Sequence, residues 1–172
     1  MPLTSTITPY DPNWPELYRQ ERDRLLPAFA DCHDINHIGS TAVPGLAAKP
    51  EIDIMLRLTN LPDREALSVN LSSFGYRFGT VMSEGHLFYK RDQEGRRTHK
   101  LHILQAAHPH GTRMIVIRDR LRENSLDRQA YEALKLKLEA ENTRGIVEYL
   151  EGKAPFLDAT FEKYQAEKHR LD

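Results

Sequence analysis

The sequence predicts an α+β fold, in which a small mixed β-sheet on the N-terminal side packs against a helical C-terminal half. Residues 51–56 alternate acidic and apolar side chains, which is typical of a β-strand with one buried face. Segments 86–91 and 98–105 also have strand character, and the glycine-containing connection 92–96 between them indicates a hairpin. From Thr112 onward, apolar residues recur at approximately helical spacing. Alternating strand and helix segments favour this architecture over an all-helical bundle.

The remaining elements follow from local signals along the chain. A first helix is expected to begin near Pro15, because the missing N–H of proline is harmless in a first helical turn, and Pro27 should end or kink that helix. A short strand over 35–38 leads into a Gly-Ser turn, and the loop 41–50 returns the chain to the acidic strand. A helix over 62–72 is expected to separate the acidic strand from the hairpin.

Length and composition narrow the class of protein. With 172 residues, the chain is expected to form one domain, residues 1–172, that buries about two-thirds of its unfolded surface. Cys32 is the only cysteine, which excludes an intramolecular disulfide and fits a reducing compartment. A net charge of −1, from 24 basic and 25 acidic residues, argues against nonspecific nucleic-acid binding. No segment resembles a signal peptide or the roughly 20 apolar residues of a membrane span, so a cytoplasmic location without membrane contact is expected.

The most informative feature is a Gly-Ser turn that precedes two acidic residues at strand spacing. Gly39 lets the backbone approach a phosphate closely, while the hydroxyl groups of Ser40 and Thr41 can donate hydrogen bonds to phosphate oxygens. Glu51 and Asp53 share one face of their strand, because side chains alternate along a strand. Mg²⁺ prefers hard oxygen ligands of this kind and keeps its other positions for water and phosphate oxygens. The pattern therefore predicts a combined phosphate and metal site.

The same residues carry a family resemblance. The turn 38–40 followed by the acidic-apolar-acidic-apolar strand 51–54 resembles the signature of the nucleotidyltransferase superfamily. A longer pattern, spread over nearly the whole chain, resembles the GrpB family of small proteins with a nucleotidyltransferase-like fold; its segments are 37–53, 97–103, 118–122 and 153–156. The resemblance implies a sheet of nucleotidyltransferase type, whereas the reaction has to be argued from the site, since fold does not imply function.

The sequence departs from the superfamily pattern in two places, and the second concerns histidines. Glu51 stands where aspartate is usual, and the later strand brings His99 and His102 where a third carboxylate is usual. Strand alternation puts Lys100 and His102 on one face and His99 on the other. We expect His102 to face the carboxylates as a metal ligand or general base, with His37 and His99 in supporting positions. A structural histidine is the alternative for each, and the histidines at 108 and 110 are expected in a loop.

A bound polyphosphate needs basic side chains to balance its charge. Arginine matches phosphate oxygens bidentately, whereas lysine offers a mobile point charge. The candidates are Lys49, Arg97, Lys100, Arg118 and Lys153. Each of them could instead be an ordinary surface or ion-pair residue, and the choice of Arg97, Arg118 and Lys153 follows from the family resemblance. The charged residues within 135–141 are expected to form a solvated helix surface.

These observations lead to three hypotheses on function. The first is a metal-dependent nucleotidyltransferase that uses a nucleoside triphosphate and an unidentified acceptor, with Glu51, Asp53 and His102 as catalytic and metal-binding residues. Its cofactor would be Mg²⁺ or Mn²⁺, and the histidine also admits Zn²⁺. The second is a noncatalytic module of the same fold that binds a nucleotide or another phosphorylated small molecule. The third is a histidine-assisted metal hydrolase.

Overall fold

The computed structural model of the protein describes residues 5–168 as five strands, five α-helices and two short 3₁₀ turns. The strands are β1 (Cys32–Ile38), β2 (Ile52–Leu58), β3 (Arg77–Ser83), β4 (His86–Gln93) and β5 (Arg96–Gln105). The helices are α1 (Trp14–Leu25), α2 (Arg64–Ser72), α3 (Pro109–Glu123), α4 (Ser125–Ala140) and α5 (Ile146–Lys168). The 3₁₀ turns are Leu26–Ala28, directly after α1, and Ser40–Ala42, shortly after β1.

The five strands form one mixed sheet in the order β1-β2-β5-β4-β3. Strands β2 and β5 run parallel, and the other neighbouring pairs are antiparallel. This arrangement confirms the predicted α+β class with its mixed sheet and helical C-terminal half. In the parallel pair, Asp53 lies beside Lys100 and Met55 lies beside His102, so all four side chains point to the same face of the sheet.

Each face of the sheet is covered by a different set of helices. Trp14 and Leu25 of α1 and Leu67 of α2 pack with Ile52 and Ile54 in the main hydrophobic core. The opposite face, which carries Met55 and Leu104, packs against Met114 and Ile115 of α3. The C-terminal helices also pack on the loop after β1, where Val43 and Leu46 contact Leu121 and Tyr131. The cleft described below lies on this second face.

Most helix boundaries agree with the local signals. Helix α1 has Pro15 in its first turn and ends at Leu25, and Pro27 lies in the 3₁₀ turn that follows. Helix α2 begins one residue after Asp63, whose side chain accepts a hydrogen bond of 2.9 Å from the Ala66 amide, because a helix N-terminus leaves free N–H groups. Within residues 5–168, no helix is long and apolar enough to cross a membrane.

One strand was not predicted, and two expectations, on His110 and on Lys135, were wrong. Strand β3 was missed, because it is an edge strand that is exposed over most of its length and therefore has no clear alternation. Helix α3 begins at Pro109 with His108 as its N-cap, so His110 lies in a helix and not in a loop. Lys135, which was expected on a solvated surface, is 2% exposed. It faces inward because it follows the buried Tyr131 by one helical turn.

Candidate functional site

The site is centred on the contact between the Gly-Ser turn and strand β2. Gly39 follows β1 with a φ of +71°, a backbone angle that L side chains rarely adopt. A Cβ atom at this position would lie 2.5 Å from Oδ2 of Asp53, so a side chain there would collide with the carboxylate. Ser40 follows immediately and is hydrogen-bonded to the side chain of Tyr131 on α4. The predicted juxtaposition of the turn and the acidic strand is therefore present.

Two cavities meet at this point, and Ser40 and Asp53 contribute to the walls of both. The larger has a volume of about 220 Å³, and its apolar wall consists of Ile38, Met114, Ile117, Leu121 and Leu157. The polar side chains that reach it are His102, His110, Arg113, Arg118 and Tyr131. The smaller cavity, about 50 Å³, is lined by Thr41, Lys49, Glu51, Lys100, Lys135 and Tyr149. A cleft with one largely apolar and one largely charged compartment results.

Lys100 lies between the two carboxylates. Its Nζ atom is 2.6 Å from Oε2 of Glu51 and 3.7 Å from Oδ1 of Asp53. Burial alone would lower the pKa of Lys100, but attraction to the two carboxylates outweighs burial and raises it above the ordinary value. Burial raises the pKa of Asp53, and Glu51 adds to this effect, while Lys100 and Lys153 oppose it. Glu51 itself is 2% exposed and also accepts a hydrogen bond from the Ser5 hydroxyl.

Lys49, which lines the smaller cavity, and Lys153, which lines neither cavity, both approach the ring of Tyr149 on α5. Each Nζ atom lies 4.5 Å from the centroid of the Tyr149 ring, which is within the range of a cation–π interaction. Burial, followed by repulsion from Lys100, lowers the pKa of Lys153 to about 8. Burial also lowers the pKa of Lys49, whose Nζ is shielded from solvent and makes no hydrogen bond within the described residues. Burial therefore destabilises both cations, and the attraction of Glu51 for each of them offsets only part of this effect.

Lys135 forms a third part of this basic cluster. Its ammonium donates a hydrogen bond to the backbone carbonyl of Ala47 and lies 5.1 Å from the centroid of the Tyr131 ring. Burial lowers its pKa to about 7, and repulsion from Lys153 acts in the same direction. Lys135 is therefore only partly ionised at neutral pH, unlike Lys100.

Thr41, in the turn, and His37, at the end of β1, fix the position of the turn by buried contacts. Thr41 is 1% exposed, and its hydroxyl donates to the Glu51 carbonyl at 3.3 Å and lies 3.0 Å from Nε2 of His37. His37 stacks on Tyr18, with 4.7 Å between the ring centroids. Burial lowers the pKa of His37 to about 3, so this ring is neutral and holds Thr41 in place. Thr41 lines the smaller cavity, whereas His37 lines neither cavity.

His102 lines the larger cavity together with Asp53. It lies two residues after Lys100 on the same face of β5, where its neighbour in β2 is Met55 and not Asp53. Its Nδ1 is 2.9 Å from Nε2 of His86. Burial and the neighbouring His86 lower its pKa well below the ordinary value, so His102 is neutral. His99 points to the opposite face, as strand alternation predicted, and lies 3.5 Å from Nη2 of Arg91. The position next to Asp53 on the cleft side is held by Lys100 and not by a histidine.

The two predicted arginines differ in their relation to the cleft. Arg118 lines the larger cavity, where Nε is 2.7 Å from Asp119 and Nη1 donates to the His37 carbonyl at 3.0 Å. Arg118 thus connects α3 to the end of β1. Arg97 forms an ion pair with Asp92 across the hairpin and lines neither cavity. The structure therefore does not place Arg97 where it was predicted to contact a phosphate.

The arrangement of donors does not fit a preformed divalent-cation centre. Among residues 5–168, no group of three or more histidine, cysteine, aspartate or glutamate side chains is placed to hold a metal ion. Glu51 and Asp53 converge on one point, but the ammonium of Lys100 occupies that point. Mg²⁺ would need oxygen ligands at about 2.0–2.1 Å from the same position. The Gly-Ser turn and the two acidic residues lie together, but three lysines, Lys49, Lys100 and Lys135, line the same cavity.

Sequence reasoning missed several residues of the cleft, namely Arg113, Tyr131, Lys135 and Tyr149. The two tyrosines were attributed to the core by their helical spacing, and both are indeed buried. The one available signal was Lys135, which follows Tyr131 by four residues and therefore shares its inward face. A lysine on an apolar helix face needs a compensating partner or ligand.

The fold and cleft are those of an α+β protein with a mixed five-stranded sheet. The family model described as GrpB protein matches residues 4–163, so the chain belongs to the GrpB family. UPF0157 protein BH1888 of Halalkalibacterium halodurans is 32% identical over 163 residues, which are 94% of this chain and 83% of that protein.

The crystal structure of conserved protein GrpB from Enterococcus faecalis matches with a TM-score of 0.82 and 28% identity, over 93% of this chain and 99% of that chain. A more distant match is Cid1 poly(U) polymerase in its Mg 3′-dATP-bound form, with a TM-score of 0.49 and 12% identity. That match covers 76% of this chain and 41% of the polymerase. The GrpB family and the α+β fold thus agree with the sequence prediction.

Proposed function

We propose that this protein binds a nucleoside triphosphate or a similar phosphorylated small molecule in the cleft at Ser40 and Asp53. The observation that supports the proposal is the surplus of buried positive charge. Lys100 is balanced by two carboxylates, whereas Lys49 and Lys153 lie close by and have lowered pKa values because of their burial. A phosphate group would supply the missing negative charge, and its binding would raise both lowered pKa values.

The two compartments suggest how such a ligand would lie. Its terminal phosphate would enter the smaller, charged cavity of about 50 Å³, where the Ser40 hydroxyl can donate a further hydrogen bond. Its organic part fits the larger cavity, where Met114, Leu157 and Tyr131 supply apolar and aromatic surface. A volume of about 220 Å³ suits a mononucleotide or a smaller molecule and is too small for an oligonucleotide.

Of the functions considered from the sequence, the geometry favours the noncatalytic binding module, because a lysine holds both candidate metal ligands. Nucleotidyl transfer is the second candidate. The observation in its favour is Asp53, whose side chain is 21% exposed at the junction of the two cavities, beside the Gly-Ser turn. A histidine-assisted hydrolase has less support, since His102 is hydrogen-bonded to His86. The cytoplasm remains the location that we propose.

A thermal-shift screen with the four nucleoside triphosphates and inorganic triphosphate, each measured in EDTA and again with Mg²⁺, tests the proposal. A ligand that binds only the folded chain at 100 times its Kd stabilises the fold by about 2.7 kcal/mol, so a raised melting temperature is expected for at least one compound. Unchanged melting with every compound under both conditions would contradict the proposal. Incubation with the nucleotides followed by a pyrophosphate assay distinguishes the two functions, because only transfer releases pyrophosphate.

A further inference from the structure

The register of the parallel strand pair fixes Lys100 beside Asp53. The two residues are direct neighbours in β2 and β5, and their side chains point to the same face. Glu51 immediately precedes β2 and reaches the same ammonium group, which lies 2.6 Å from its Oε2 atom. Lys100 is consequently held by backbone pairing at its base and by two carboxylates at its tip. Because β5 is hydrogen-bonded to a strand on each side, the backbone of Lys100 cannot move away from Asp53.

The ammonium occupies the position at which a divalent cation would be held by these two carboxylates. Mg²⁺ binds carboxylate oxygens at about 2.0–2.1 Å, so an ion shared by Glu51 and Asp53 would overlap Nζ of Lys100. Displacing the lysine would also leave its positive charge among Lys49 and Lys153, both of which already repel it. Metal binding and the bridging lysine therefore exclude each other.

We propose that Lys100 replaces the divalent cation of the site, so that the phosphates of the bound ligand are recognised without Mg²⁺ or Mn²⁺. This inference rests on the proposed function. An ammonium group has three N–H donors, and two of them are directed to Glu51 and Asp53. The third is available to a phosphate oxygen, because Lys100 lines the smaller cavity. Lys49 and Lys153 supply the second positive charge that a divalent cation would carry.

A consequence for the two carboxylates follows. Removal of the ammonium leaves Glu51 and Asp53 close together without the cation that neutralises them. Two converging carboxylates in a partly buried position are an oxygen ligand set that binds Mg²⁺ or Mn²⁺ together with water. Substitution of Lys100 by an uncharged residue of similar length is therefore expected to create a metal site that the natural chain lacks.

Titration with Mn²⁺, followed by electron paramagnetic resonance of the free ion, tests this expectation in the wild type and in Lys100→Met. The variant is expected to gain one saturable site at least about tenfold tighter than any site of the wild type. Lys49→Met is the matched control, because it removes one positive charge near Glu51 without vacating the position between the carboxylates. Addition of Asp53→Asn to Lys100→Met should abolish the gain. Tight Mn²⁺ binding by the wild type, or an equal gain in Lys49→Met, would overturn the inference.

A second measurement uses only the wild type and does not depend on how the variants fold. The affinity for inorganic triphosphate is measured by calorimetry in EDTA and again in excess Mg²⁺. Binding in EDTA that is at least as tight as in excess Mg²⁺ is expected, since the fixed ammonium groups carry the positive charge and Mg²⁺ neutralises part of the charge of the triphosphate. Binding that requires Mg²⁺ would overturn the role of Lys100 and leave the proposed function intact. Absence of binding of triphosphate and nucleotides under both conditions would overturn the proposed function, and the Mn²⁺ comparison would still decide whether Lys100 excludes a metal.

Discussion

Gly39 and Asp53 are so close that a Cβ atom on the glycine would lie 2.5 Å from the aspartate Oδ2. The backbone of Gly39, with φ +71° and ψ −170°, lies in a region that is essentially restricted to glycine. Two independent constraints therefore act on one position. Together they fix the Gly-Ser turn against the carboxylate at the centre of the cleft.

Gly39→Ala is expected to lower the free energy of unfolding by about 2–4 kcal/mol and to weaken binding of phosphorylated ligands, because the turn must move away from Asp53. Gly45→Ala is the matched control, since Gly45 also has a positive φ of +77° but a Cβ there meets no atom within 4 Å. The control should lose only about 1 kcal/mol and retain ligand binding. Urea denaturation and calorimetry check both effects. Equal losses of unfolding free energy and of ligand affinity in the two variants would show that the close contact with Asp53 contributes to neither.

Tyr149→Leu is expected to weaken binding of inorganic triphosphate about three- to tenfold, because the ring positions both Lys49 and Lys153 and each cation–π contact contributes about 0.5–2 kcal/mol. Tyr149→Phe keeps the ring and should bind like the wild type. Calorimetric titration of the two variants measures the difference. If Tyr149→Phe loses as much affinity as Tyr149→Leu, the hydroxyl and not the ring face is responsible.

The stability of the protein is expected to rise between pH 7 and pH 9. Burial lowers the pKa of Lys135 to about 7, whereas an unfolded lysine keeps the ordinary value of 10.5. Between these two values the unfolded chain binds a proton that the folded chain does not, so the free energy of unfolding increases with pH. Lys153, with a pKa of about 8, adds an effect of the same sign above pH 8.

Lys135→Met should reduce this slope by about 1 kcal/mol per pH unit, as one lowered pKa is removed. Lys137→Met, at an exposed position of the same helix, should leave it unchanged. Urea denaturation at pH 7, 8 and 9 gives the three slopes. An identical slope in Lys135→Met and the wild type would mean that the buried lysine is not responsible.

On the other face of the sheet, Arg91→Met is expected to destabilise the fold by about 2–4 kcal/mol, because it removes one partner of the buried Glu21. Arg91 Nη1 lies 2.8 Å from Oε2 of Glu21, whose side chain is only 5% exposed. Arg19→Met breaks an exposed ion pair with Glu16 and should cost less than about 1 kcal/mol. Thermal denaturation compares the two variants. A similar loss in both would contradict the distinction between buried and exposed pairs.

Local patterns in the sequence were sufficient for much of the fold. The alternation at residues 51–56 predicted β2, observed at Ile52–Leu58, and the Gly-Ser pair predicted the turn beside it. These features depend on neighbours in sequence, whose side-chain directions follow from strand geometry alone. The edge strand β3 has no buried face over most of its length, so its sequence carries no such pattern.

The arrangement of charges in the cleft could not be predicted in the same way. Alternation placed Lys100 and His102 on one face, but only the register of β2 against β5 decides which of them lies beside Asp53. That register joins segments more than 40 residues apart and depends on the packing of the whole sheet. The burial of Lys135 likewise depends on how α4 packs on the loop after β1. The roles of the predicted site residues remain predictions.

Calorimetric titration of inorganic triphosphate into the wild type and the double variant Lys49→Met/Lys153→Met tests most directly whether the cleft binds phosphate. Saturable binding by the wild type is expected, with at least about tenfold weaker binding by the double variant, since two desolvated cations are lost. Lys163→Met, which removes a lysine with 53% exposed side chain from α5, serves as the control and should bind like the wild type. The account predicts loss of binding in the double variant alone. Undiminished affinity of the double variant, or no saturable binding by the wild type, would contradict it.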